Sequence, residues 1–225
     1  YRLAAPGAEP VAVTGEIAWD VEGFEFSPDG RFLAWSVNEE ARSRLYLRDL
    51  ERGSFVALPE VPEGVVSGLE FTADSRSLGF TLNRPTSPGD AWAIDLASRR
   101  LVRWTESEVG GLDPSLFVAP EHFRYPTFDA VGGRQRTIPA FVYRPQAAPA
   151  ANAVPRPVIV SIHGGPEGQA RPTFSSRYQF WANELGAAVV VPNVRGSTGY
   201  GRGYHRLDNG FGREDSVRDI GALLD

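Results

Sequence analysis

Short apolar runs, partly alternating with polar residues, fill the first half of the chain: FEF (24–26), FLAWSV (32–37), LYL (45–47), LEF (69–71) and LGF (78–80). They are rich in aromatic and β-branched residues and are separated by turn-forming clusters, which predicts strands. In SPDG (27–30), Pro presets φ, Asp can bond its own backbone, and Gly tolerates positive φ. The segment FEFSPDGRFLAWSVN (24–38) aligns with LEFTADSRSLGFTLN (69–83), 45 residues on. Phe26 matches Phe71, Asp29 matches Asp74, Arg31 matches Arg76, Leu33 matches Leu78, Trp35 matches Phe80 and Asn38 matches Asn83. With a slip of one, LYLRDLERGSFVAL (45–58) continues the match in AWAIDLASRRLVRW (91–104). A strand-built repeat of about 40–50 residues predicts β-propeller blades, each of which needs neighbours to cover its faces. Two blades are complete on this reading, and residues 1–14 read as outer strands of a preceding one. Asp29 and Asp74 are then turn residues, not a catalytic pair.

The pattern changes near residue 118. EHFRYPTFDAVGGRQRTIPAFVYRPQ (121–146) predicts two strands joined by a Gly-Gly turn, and 148–157 a Pro/Ala-rich loop. VIVSI (158–162) and AAVVVPNV (187–194) are continuous apolar runs, predicting strands buried on both faces. Between them, 174–186 has helical period, with Phe174, Tyr178, Trp181 and Leu185 on one side and Gly186 at the C-terminal cap. A second helix is predicted over 213–225, with Val217, Ile220, Leu223 and Leu224 as its apolar face. Strand, helix, strand, helix predicts an α/β unit with a parallel sheet. The expected architecture is therefore a partial β-propeller over 1–118, followed over 119–225 by an α/β domain.

Composition narrows the chemistry. The chain is 42% hydrophobic and 23% charged, as in ordinary globular domains, so it can bury a core. The net charge of −5 is spread along the chain, and no basic stripe marks a nucleic-acid partner. With no cysteine, disulfides, zinc thiolates and a thiol nucleophile are excluded within these residues. Apolar runs fall well short of the roughly 18–20 residues of a membrane span. A cytoplasmic location is favoured, with periplasmic or secreted left open. The chain opens on YRLAAPG and closes on SVRDIGALLD, inside a predicted helix; an internal piece of a longer protein is expected, with the remaining segments as its partner. Oligomerisation is left open.

Two loops follow the predicted parallel strands, where ligands of such sheets bind. SIHGGPEGQ (161–169) reads either as a tight exit turn or as an oxyanion loop. In the second case Gly164 and Gly165 allow close approach, and a fixed backbone amide faces developing negative charge. NVRGSTGYGRGY (193–204) carries Arg195, which either anchors a substrate carbonyl or carboxylate or pairs with a local acid such as Glu214 or Asp215. Tyr200 and Tyr204 read as loop packing, with Tyr200 also a candidate substrate contact. His122 and His205 have no partner at metal-ligand spacing and read as surface or packing residues; no metal or cofactor is expected.

HGGP (163–166) and NVRGSTGYG (193–201), preceded by blades such as SPDGRFLAW (27–35), resemble the prolyl oligopeptidase family of serine peptidases. The similarity is to its acylaminoacyl-peptidase and dipeptidyl-peptidase-like branch, and it runs over essentially the whole chain. It implies that 119–225 is the N-terminal half of an α/β-hydrolase domain and that the substrates are short peptides, cleaved through an acyl-enzyme. It also implies that the Ser/Asp/His triad lies outside these residues, the serine in a G-x-S-x-G elbow after the helix starting near Glu214. Gly165 is then the oxyanion donor, and His163 a loop residue with a second donor role left open. An esterase on the same scaffold, or a non-catalytic propeller, are the alternatives.

Overall fold

The computed structural model describes residues 7, 9–146, 155–165 and 167–225. Half of residues 1–14, much of the 148–157 loop and Pro166 of HGGP lie outside the described residues. Three open four-stranded sheets make up most of what is described, with few helices.

The first sheet is an antiparallel meander of β1 (Asp20–Phe26), β2 (Phe32–Glu39), β3 (Arg42–Asp49) and β4 (Ser54–Phe55). The second repeats it with β5 (Val65–Phe71), β6 (Ser77–Arg84), β7 (Ser87–Asp95) and β8 (Arg100–Arg103). The first two strands of each sheet keep the 45-residue offset. Both turns between them are closed alike: Asp29 Oδ1 accepts from Ser27 Oγ and Arg31 N, and Asp74 Oδ1 from Thr72 Oγ1 and Arg76 N. Asp29 N also donates to Ser75 Oγ, joining one turn to the other.

The two sheets share a core. Ala34 and Leu47 of the first pack on Phe71 and Leu78 of the second. Val66, Phe80, Leu82 and Ile94 extend the contact towards Leu45 and Leu58. On the opposite face of β2, Leu33, Trp35 and Val37 bury themselves under Val13, Ile17 and Trp19, with Trp35 stacked on Tyr46. Burying each large side chain contributes roughly 1.5–3 kcal/mol, so β2, covered on both faces, is the best-anchored strand of its sheet.

The third sheet has the order β11-β12-β10-β9, from β9 (Glu121–Val131), β10 (Arg134–Tyr143), β11 (Val158–Val160) and β12 (Ala188–Pro192). Gly132 and Gly133, both at positive φ, close the β9–β10 hairpin as their sequence predicts. β11 and β12 run parallel, with helix α1 (Ser176–Asn183) between them in the chain; β12 is antiparallel to β10. Helices α2 (Gly201–His205) and α3 (Asp215–Leu224) follow.

Three expectations are corrected. β11 is not buried on both faces: it pairs only with β12 at the sheet edge, leaving Val158 and Ile162 exposed. In α1 the fully buried positions are Gln179 and Ala182, while Leu185 is exposed; Gln179 is inside because its amide bonds Val118 N, Val118 O and Pro85 O. In α3, Val217 and Leu224 are exposed and the fully buried residue is Asp219.

Candidate functional site: two glycine loops at the ends of parallel strands

β11 and β12 end side by side, and the chain leaves each in a glycine-rich loop. The first loop is tightly folded. Gly165 has φ +138, and a Cβ there would lie 2.6 Å from Gly168 N; a Cβ on Gly168 would overlap Gly164 O. Only glycine fits either position without moving backbone. Gly164 and Gly165 themselves are exposed.

His163 ties this loop to the second. Its Nε2 lies 2.9 Å from Oγ of the fully buried Ser197, whose single proton is donated to Val194 O at 2.6 Å. Ser197 must therefore accept, so Nε2 carries the proton and donates it. Nδ1 sits 3.1 Å from Gly164 O. In this arrangement the imidazole is a structural donor, with Nε2 blocked as a base. Thr198 N donates to Gly168 O at 3.1 Å, a second tie between the loops.

Asn193 is the third tie. Fully buried, it pairs in both directions with the Ala170 backbone: Oδ1 accepts from Ala170 N at 2.7 Å, and Nδ2 donates to Ala170 O at 2.9 Å. Nδ2 also donates to Tyr200 Oη, and Asn193 O accepts from Tyr204 Oη. Burial pushes the Tyr200 phenol up to about 12 and raises that of Tyr204. Both tyrosines are packed, with rings 5.3 Å apart. Tyr200, a candidate substrate contact in the sequence, thus has its hydroxyl engaged by Asn193.

Arg195 is corrected from a candidate ligand anchor to an internal one. It is 3% exposed, and its guanidinium bonds Asp219 (2.7 and 2.9 Å) and Asp129 (2.9 Å), with Asp215 at 3.6 Å. Asp215 was one of the two acids the sequence offered; Asp219 and Asp129 hold it more closely. Burial alone would lower the Arg195 pKa, but these carboxylates raise it. Burial would likewise raise Asp129, yet Arg195 and Arg136 hold its carboxyl below the ordinary value. Thr127 Oγ1 completes the Asp219 shell at 2.7 Å. The cluster clamps α3 and the second loop onto β9.

The remaining histidines are peripheral. His122 packs on Phe141 with its pKa lowered by burial, and His205 lies 3.4 Å from Glu167 Oε2. Among the described residues, no group of His, Cys, Asp or Glu could hold a metal ion. No helix described is long and apolar enough to cross a membrane. Beside the loops lies a cavity of about 280 Å³, lined by His163, Gln169, Ala170, Ser175, Tyr178 and Tyr143, among others. Asn193, Ser197 and Gln169 carried no chemical signal in the sequence beyond standing in or next to the glycine loops.

Comparison with known proteins bears on the fold and the family. No family model matches the chain. It is 30% identical over 197 residues to a probable dipeptidyl-peptidase 5 of Aspergillus clavatus, across 82% of this chain and 25% of that protein. The fold matches the acylaminoacyl peptidase of Pyrococcus horikoshii with a TM-score of 0.70 at 22% identity, over 94% of this chain and 32% of that one. Prolyl oligopeptidase B of Galerina marginata matches with a TM-score of 0.73 at 19% identity, over 92% and 28%. The chain belongs to the prolyl oligopeptidase family. It spans about a quarter of the length of the curated relatives it matches. Its open sheets and few helices are consistent with a propeller part of that fold.

Proposed function

We propose that this chain is the part of a serine peptidase that contributes two propeller blades (within 1–118), the N-terminal part of an α/β-hydrolase domain (119–225), and the oxyanion loop. The observation that carries the reading is the locked pair of glycine loops beyond the ends of β11 and β12, where His163, Thr198 and Asn193 hold the 163–170 loop on the 193–204 loop. Gly165, exposed and restricted to glycine, is the amide donor to the alkoxide that forms as a serine adds to a peptide carbonyl. A second amide, next to the nucleophile, completes the hole, and the triad residues lie outside 1–225. His163 positions the loop by donating Nε2–H to Ser197. The substrates are short peptides.

In the full-length protein that contains this chain, Gly165→Ala is expected to lower kcat for aminoacyl-anilide hydrolysis about 10²–10³-fold. Steady-state kinetics check this, and an unchanged kcat removes Gly165 from the reaction. Turnover of p-nitrophenyl esters with none of anilides would instead favour the esterase alternative.

A further inference from the structure

Most positions where the two repeats carry the same residue are explained inside a blade: Asp29 and Asp74 close turns, and Leu33 and Leu78 fill cores. Asn38 and Asn83 differ, because each reaches out of its own sheet to one segment of the second half. Asn38, 4% exposed, donates from Nδ2 to Gln169 Oε1 at 2.8 Å, while its Oδ1 accepts from Ala41 N at 3.1 Å. Asn83 Oδ1 accepts from Phe174 N at 2.8 Å. Between these points Arg171 spreads over the first sheet: Nε to Ala41 O, one terminal nitrogen to Glu22 and the other to Ser43 Oγ. The opposite side of the same segment is pinned by Asn193 through Ala170. Residues 169–174 are therefore a strap gripped by the blades on one side and by the second glycine loop on the other. The strap begins directly after Gly168, against which Gly165 is packed.

We propose that Asn38 and Asn83 are positioning residues: the repeat places one amide at the end of each blade, and together they hold the strap that sets where the Gly165 amide points. The proposal rests on the functional reading above only for its catalytic consequence. The physical basis is that an oxyanion donor acts through a fixed position, and an ångström of misplacement in a catalytic arrangement can cost up to about 10²-fold in rate. Gly199 adds to the grip. At φ +80, a Cβ there would overlap Gln169 Nε2 and lie 2.6 Å from Asn38 Nδ2, so any larger residue would push these two side chains aside.

Two measurements on the full-length protein test this. Hydrogen exchange over 167–174 is expected to quicken roughly fivefold in Asn38→Leu and in Asn83→Leu, the scale of one lost hydrogen bond. Asp74→Ala, which loosens a blade turn without touching the strap, should leave it unchanged. Asn83→Asp keeps the acceptor for Phe174 N and should restore wild-type exchange. In the peptidase assay the two Leu variants should lower kcat about tenfold with KM within about twofold, and Asn83→Asp should retain kcat. Unchanged exchange in both Leu variants, or Asn83→Asp behaving like Asn83→Leu, overturns the strap. Quickened exchange with unchanged kcat overturns its positioning role. A wild-type protein that cleaves no peptide overturns the functional reading instead, and the exchange result still decides the strap.

Discussion

Asp219 shows how far one residue can organise a site it does not enter. Its carboxylate is fully buried and accepts from Arg195 Nε, Nη2 and backbone N and from Thr127 Oγ1. Removing it leaves a buried guanidinium short of its nearest counter-charge, an arrangement that typically costs about 3–5 kcal/mol. Asp219→Ala should therefore lower the urea midpoint far more than Asp74→Ala, whose carboxylate serves an exposed turn. A second consequence concerns acid. Burial alone would raise Asp90 and Asp129, but Arg103 and the 105–107 hydroxyls and amide hold Asp90 below its ordinary value, and Arg195 and Arg136 do the same for Asp129. A carboxyl whose folded pKa is lowered stabilises the fold above its unfolded pKa, about 3.9, and loses that contribution as pH falls through the folded pKa. Melting temperature should thus fall with pH below about 4, and Asp90→Asn should flatten part of that slope.

Between elements, the 45-residue offset was legible because each blade needs the same turn and the same core positions. Leu33 and Leu78, Trp35 and Phe80 recur since both sheets bury the same face, and their strands begin and end at equivalent residues. The turn that repeats is also testable. Gly30 has φ +73 with open space around it, so Gly30→Ala should cost about 1–2 kcal/mol through backbone strain alone. Thermal melting reads that loss; no loss would mean the turn tolerates a left-handed alanine. Apolar periodicity failed where polar groups were drawn inside. Gln179 and Asp219 take the buried positions of α1 and α3 because unpaired backbone at Val118 and the Arg195 charge need them there. No local pattern announces a partner 24 or 61 residues away. The glycine loops could be located from sequence, but the tie of His163 to Ser197 and the pairing of Arg195 with Asp219 and Asp129 needed the fold.

For the molecule as a whole, the two halves meet around an apolar cluster in which Ala41 packs with Val118, Phe141 and Tyr143, and through polar, directional contacts beside it. Gln179 bridges to Pro85 O, Arg124 pairs with Glu40 at 2.5 Å, and the strap holds both blades. The polar contacts are directional and so fix the orientation of the two halves. On the proposed reading, this chain carries the oxyanion loop but not the nucleophile. Labelling the full-length protein with a fluorophosphonate and mapping the modified peptide tests it most directly. A single labelled serine outside residues 1–225 is expected, with labelling slowed in Gly165→Ala. A label on a serine of this chain, such as Ser161 or Ser197, or a full-length protein that is not labelled at all, would contradict it.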